Sequence, residues 1–220
     1  MAETLAMDQH AHAHQFDDAE QQRDTVTMGM WVFLVTEVMF FGGLFASYTI
    51  YRTLYPMAFA VASQSLDITL GTLNTAVLLL SSFTMVVAVF GAQTGHRRAM
   101  IGGLALTIAL GIVFLVIKFY EYYQKYVEHH VPGPSFAFPA PYTEQAKMYF
   151  TLYFAMTGLH AIHMIVGCGL LAVLIAMAWR GRFTPEYHNP VEVSGLYWHF
   201  VDIIWIFLYP LLYLIGRHLE

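Results

Sequence analysis

The sequence predicts an all-α protein, a polytopic membrane bundle with five transmembrane helices. Three observations carry that expectation. Of the 220 residues, 58% are apolar in the wide sense and 11% are charged, against roughly 45–50% and 25% in soluble domains. The apolar residues gather in runs of about twenty or more, the length that crosses about 30 Å of hydrocarbon at 1.5 Å per residue. The charges stand mostly between those runs.

Residues 1–25 form a polar tail that is expected to be mobile and cytoplasmic, and residues 26–220 form the membrane domain. His10, His12 and His14 alternate in the tail. Alternation of this kind suits metal binding by an extended chain, but a solvated low-complexity tail is the preferred reading.

The first span is expected over about 28–51, with Trp31 near one end, Tyr48 and Tyr51 at the other, and Arg52 stopping it. Amphipathic rings favour the membrane interface, and Trp31, Trp198 and Trp205 are the expected interfacial aromatics. The second span is expected over about 70–92. The short GHRR link at Gly95–Arg98 then leads into a third over about 101–120, giving a tight helical hairpin. Pro132, Gly133, Pro134, Pro139 and Pro141 make the next segment a long loop, because proline removes a donor and clashes with the preceding turn. The fourth span, about 148–178, exceeds what a perpendicular crossing needs and is expected to tilt or protrude. The fifth covers about 196–215 and is interrupted by Pro210.

An odd number of crossings puts the termini on opposite sides. Arg97, Arg98, Arg180 and Arg182 sit in short loops on the N-terminal side. The positive-inside rule then places the N-terminus in the cytoplasm and the C-terminus outside, in a bacterial cytoplasmic (inner) membrane.

The formal charge of −5 comes mainly from the tail, where Glu3, Asp8, Asp17, Asp18, Glu20 and Asp24 cluster. No basic stripe follows, so nucleic acid is not an expected partner. No short apolar segment after the polar N-terminus reads as a signal peptide. The single cysteine, Cys168, lies in an apolar run and reads as a small core residue, with no pairing available inside the chain.

Polar groups inside hydrocarbon are the informative residues, since each costs roughly 2.5–3.5 kcal/mol or more when ionised at mid-depth and needs a partner. They are Glu37, Asn74, Glu121, His160, His163, His199 and Asp202. His160 and His163 are three apart and share a helix face that Gly167 continues, so another helix can approach there. His199 and Asp202 have the same spacing, at which imidazole and carboxyl would lower each other's desolvation cost. Trp198, Asp202, Trp205 and Tyr209 form a stripe that seats Asp202 between rings. Three readings compete for these groups: axial ligation of a haem or metal, a proton pathway, and polar pairing that fixes helix register. The last is favoured. No inverted repeat is apparent, which weakens a transporter reading.

Five segments resemble one family. GMWVFLVTEVMFFGGLF at Gly29–Phe45, with Glu37 before Met-Phe-Phe, is followed in order by LNTAVLLLSS (Leu73–Ser82) and IKFYEYY (Ile117–Tyr123). TGLHAIHMIVG (Thr157–Gly167) and YWHFVDIIWIFLY (Tyr197–Tyr209) complete the series. They are similar to subunit III of the cytochrome c oxidase family, over about residues 28–217 and in a five-helix short form. The resemblance implies a non-redox accessory subunit of a terminal haem–copper oxidase, which couples oxygen reduction to proton translocation in aerobic respiration. It implies no cofactor, metal or catalytic residue in this chain, with haems and copper in partner subunits. The implied partners are oxidase subunits I and II and bound phospholipid, with a respiratory supercomplex as an open further level of assembly. Under it, Glu37, Asn74, Glu121, His160, His163, His199 and Asp202 serve helix packing, lipid binding or support of proton uptake. The alternatives are the same bundle in a quinol oxidase or nitric oxide reductase and, outside the family, a small membrane transporter or membrane cytochrome b. The full family pattern has two more helices before that of Glu37, and their absence here puts an internal lipid cleft in doubt.

Overall fold

The computed structural model describes residues 19–185 and 187–214. Among the described residues six α-helices follow one another: α1 (Ala19–Leu54), α2 (Pro56–Gln64), α3 (Ile68–Gln93), α4 (Arg97–Val127), α5 (Thr143–Trp179) and α6 (Asn189–Tyr209). A π-helical turn, Pro210–Leu214, continues α6. Five helices are long and apolar enough to cross a membrane, and α2 is not among them. The protein is an all-α, multi-pass membrane bundle. The histidines of the N-terminal tail lie outside the described residues.

Helix boundaries differ from the sequence reading in several places, and one short helix is new. Helix α1 includes Ala19 and so reaches into the segment assigned to the tail. Helix α2 was not expected, although Pro56 pre-sets the backbone for a first helical turn and small residues follow it. Its buried face of Ala58, Phe59, Ala60, Ala62 and Ser63 caps one end of the bundle, where Phe59 meets Tyr48 and Tyr149 edge-on. Helix α4 runs on to Val127, beyond the expected end at residue 120, because Glu121 and Lys125 face inward. Glu121 meets the π-turn through Tyr213 and Lys125 meets the α2–α3 link through the Ser65 carbonyl, while Tyr123 and Tyr126 on the other face are exposed.

The helices alternate in direction. α3 starts cleanly because Asp67 Oδ1 accepts from the amides of Thr69 at 2.8 Å and Leu70 at 3.3 Å. Its partner in the tightest contact is α4, and glycine makes that contact possible. A Cβ at Gly103 would sit 2.8 Å from the Ala88 amide nitrogen, and one at Gly91 would sit 2.6 Å from that of Met100. Within the hairpin the hydroxyls of Thr84 and Thr107 bond at 2.7 Å. Close backbone approach and small polar residues suit helix association in lipid, where burial of apolar surface supplies no drive.

α6 is the central helix, with 56% of its apolar window buried inside the bundle, against 11% for the peripheral α1. Its large rings fill the space between α3, α4 and α5. Trp198 lies over Gly111 and Gly167, where added Cβ atoms would meet the ring at 2.9 and 3.0 Å. The outer faces of α1, α3, α4 and α5 present exposed apolar side chains such as Met39, Phe83, Val116 and Ile162. Such a surface is stable only against lipid or protein.

Candidate functional site

The bundle holds its polar groups in three places: a cross-link between α1 and α5, a column along α3 and α6, and a closed cluster on α4. In the first, Glu37 Oε2 lies 3.1 Å from His163 Nε2, while His163 Nδ1 is 2.9 Å from the Leu159 carbonyl. Phe41 packs against the imidazole at 5.4 Å, and the Tyr197 hydroxyl donates to the His163 carbonyl at 2.9 Å. This pair joins the least buried helix to the rest.

His160 lies three residues earlier and meets different neighbours. The sequence places both histidines on one face, but a three-residue step rotates them about 60° apart. The bundle divides that face. His160 is closed in by Phe114 at 5.4 Å and Trp205 at 5.2 Å, and neither ring nitrogen has a hydrogen-bond partner. Gly167 receives Trp198 and Tyr197, the close approach its spacing suggests.

In the α3–α6 column, His199 and Asp202 do not pair as expected. His199 Nδ1 bonds Ser82 Oγ at 2.7 Å, whereas both Asp202 carboxyl oxygens are buried without a hydrogen-bond partner. His199 faces α3, which runs antiparallel and offers Ser82 at that level. Asn74 is likewise buried with its side-chain amide unpartnered.

Trp198 and Trp205, expected as interfacial aromatics, face the interior of the bundle. Both are completely buried, and each indole N–H donates at 3.1 Å to a hydroxyl on α3, Trp198 to Ser81 and Trp205 to Thr75. A buried indole needs a partner for its one donor, and the serine and threonine of the facing helix supply it. Trp31, by contrast, is exposed on α1.

The α4 cluster is the largest polar feature that sequence reasoning missed. Lys118 is 1% exposed, and its ammonium donates to Glu121 Oε2 at 2.9 Å, Tyr153 Oη at 3.0 Å and Tyr213 Oη at 2.6 Å. Three donors therefore meet three acceptors. The Tyr213 hydroxyl donates to the Glu121 carboxylate at 2.7 and 2.9 Å. The rings of Tyr153, Trp205, Tyr213 and Tyr122 surround the ammonium at 4.7 to 5.5 Å. Tyr213 reaches this position because Pro210 diverts α6 into the π-turn, whose Leu211 and Leu212 carbonyls accept from the Tyr48 and Tyr149 hydroxyls at 2.7 and 2.8 Å. Lys118 and Glu121 three apart on an apolar run were the available signal.

Among the described residues, no three His, Cys, Asp or Glu side chains converge to hold a metal ion. The arrangement ties helices together: each polar group with a partner bonds across an interface or along its own helix.

Known proteins are similar to this chain in sequence. A family model of cytochrome c oxidase subunit III matches residues 8–217. The chain belongs to the cytochrome c oxidase subunit III family. The subunit 3 of Scyliorhinus canicula is 36% identical over 195 residues, covering 86% of this chain and 69% of that protein. The subunit 3 of Sus scrofa is 32% identical over 198 residues with the same coverage. The subunit 3 of Thermostichus vulcanus is 29% identical over 205 residues and covers 91% of this chain and 92% of its own length. As a member of the subunit III family, the chain is an accessory component of a haem–copper oxidase, an oxidoreductase complex.

Proposed function

We propose that this chain is the non-redox packing subunit of a bacterial terminal oxidase, seated beside the catalytic subunit I and sharing the complex with subunit II. Oxygen reduction and the haem and copper centres belong to those partners. This chain supports turnover by holding a lipid-facing surface and by sustaining proton uptake in its neighbour. The carrying observation is the Glu37–His163 cross-link at 3.1 Å, which ties the peripheral α1 to the bundle through a polar pair at mid-helix. Such a pair is costly in hydrocarbon and is retained where it fixes register or meets a partner.

Phospholipid is the proposed ligand. A groove of about 410 Å³ between α3 and α6 is walled by Val86, Phe90 and Leu196, with His199 inside it and Gln93 and Glu192 at its rim. Gln93 Nε2 donates to Glu192 Oε1 at 2.5 Å, which holds the rim together. An acyl chain suits the apolar walls, and a headgroup suits the rim. The arginines of the short loops orient the chain with its N-terminus in the cytoplasm and its C-terminus outside.

Affinity purification of the intact complex, with partner identification and a visible spectrum, tests this reading. Haem- and copper-bearing subunits should co-purify, and a Soret band retained by the separated chain would overturn the non-redox assignment. Glu37→Gln and Asp202→Asn test the polar groups. If both leave assembly, bound lipid and sustained turnover unchanged, these residues have no functional role.

A further inference from the structure

The α4–α5 loop closes over one end of the bundle through an unusual convergence on a single carboxylate oxygen. Glu128 Oε2 accepts from Lys125 Nζ at 2.6 Å and lies 3.1 Å from His130 Nδ1. The same ammonium donates to the Ser65 carbonyl at 2.6 Å, so α4 is tied to the α2–α3 link. The His130 ring stacks on Phe150 of α5 at 4.9 Å and 21°, with Phe138 at 5.4 Å. The backbone reinforces the fold-back: the His130 amide donates to the Lys125 carbonyl, and the Ala137 amide to the His129 carbonyl, both at 2.9 Å.

We propose that His130 is a pH-operated latch, which in its neutral form holds the α4–α5 loop against α5 and leaves Glu128 to Lys125. Protonation would place a cation among Phe136, Phe138 and Phe150 and set it against Lys125 for one oxygen. The charged groups acting on the ring are Lys125 of α4, Glu128 just past its end and His129 of the loop. α5 meets it with Phe150, and the α2–α3 link contributes the Ser65 carbonyl to Lys125. Burial, and then the Lys125 charge, hold the imidazole below its ordinary range, outweighing the Glu128 carboxylate.

The sign follows from linkage. A histidine whose pKa is lowered in the closed loop binds its proton more readily when the loop is open. The latch is therefore fully engaged above about pH 6.5, the ordinary histidine value, and weakens as the pH falls from there toward the lowered one. In the orientation proposed above, the loop lies on the side that receives translocated protons, and its regulatory sense rests on that reading. Acidification there would release the loop.

Hydrogen–deuterium exchange of the loop in the intact oxidase complex, reconstituted in sealed vesicles and corrected for intrinsic exchange chemistry, tests the latch. Protection of residues 128–142 should fall as the pH moves from about 8 to about 5, the interval in which histidine titrates. His130→Phe keeps the stacking ring without the proton and should stay protected throughout. Glu128→Gln leaves the ring in place and removes the group that favours the imidazolium in the closed loop, so the gap from the open-loop value widens, acid costs the closed loop more, and the loss should move to higher pH. A flat wild-type profile would overturn the proposal. So would an unchanged pH response in His130→Phe, or an unmoved midpoint in Glu128→Gln. The loop lies opposite the N-terminus whichever way the bundle is inserted, because three crossings separate them. Acid on the side opposite an N-terminal tag should therefore give the whole response, and a response only from the tag's own side would overturn the proposal. A tag accessible on the outer face of intact cells would refute the orientation and leave the latch standing.

Discussion

Lys118 and Glu121 stand one turn apart on α4 with their charged groups 2.9 Å from each other, and each is 1% exposed. The pair is closed on every side by Tyr153, Tyr213 and Trp205. Removing one member leaves the other charge in a medium that cannot solvate it. Glu121→Gln and Lys118→Met should each cost about 3–5 kcal/mol, and replacing both with apolar residues should recover much of that loss. A double-mutant cycle from thermal or denaturant unfolding of the complex in detergent measures it; additive single losses would refute the coupling.

Tyr213→Phe removes the hydroxyl that donates to Glu121 and accepts from Lys118, without changing the ring. The expected cost is about 1–3 kcal/mol, that of unsatisfied buried partners. Tyr48→Phe, which loses one bond to the Leu211 carbonyl on the π-turn, should cost less.

Gly102 and Gly103 are adjacent on α4 and should respond oppositely to alanine. A Cβ at Gly102 meets nothing within 4 Å, while one at Gly103 would meet three Ala88 atoms at 2.8 to 2.9 Å, two of them backbone. Gly102→Ala should stabilise by roughly 0.5–1 kcal/mol through helix entropy. Gly103→Ala should destabilise by about 1–3 kcal/mol by forcing the hairpin apart. The difference in melting temperature between the two variants gives the sign directly.

Thr75→Val keeps shape and deletes the acceptor of the Trp205 indole. Intramembrane side-chain bonds average about 0.6 kcal/mol and reach about 1.7. The expected loss lies in that range, with a change in Trp205 fluorescence. At the bundle edge, Asp67→Ala should cost about 1 kcal/mol, because two α3 amides lose their cap.

The run lengths determined the fold class, since only an internally bonded helix satisfies its backbone in hydrocarbon. The sequence also marked Glu37 and His163 as groups needing partners, and the structure joins them. It left Lys118 unmarked. A lysine near the end of an apolar run reads as one that reaches the interface along its stem, and only α5 and the π-turn close around it. The interior partners of Trp198 and Trp205 were hidden for a related reason: Ser81 and Thr75, which accept from their indoles, lie more than a hundred residues away in sequence.

Sequence alone determined that the chain crosses the membrane five times and which polar residues lie within the crossings, because helix length and hydrophobicity are local properties. Tertiary structure decided which of those residues meet. His160 and His163 share a spacing, yet one is enclosed by Phe114 and Trp205 and the other reaches Glu37. His199 turns to Ser82 while Asp202 stays unpartnered. The reason is geometric: periodicity fixes the face of a helix on which a side chain lies, and only packing fixes what that face is set against.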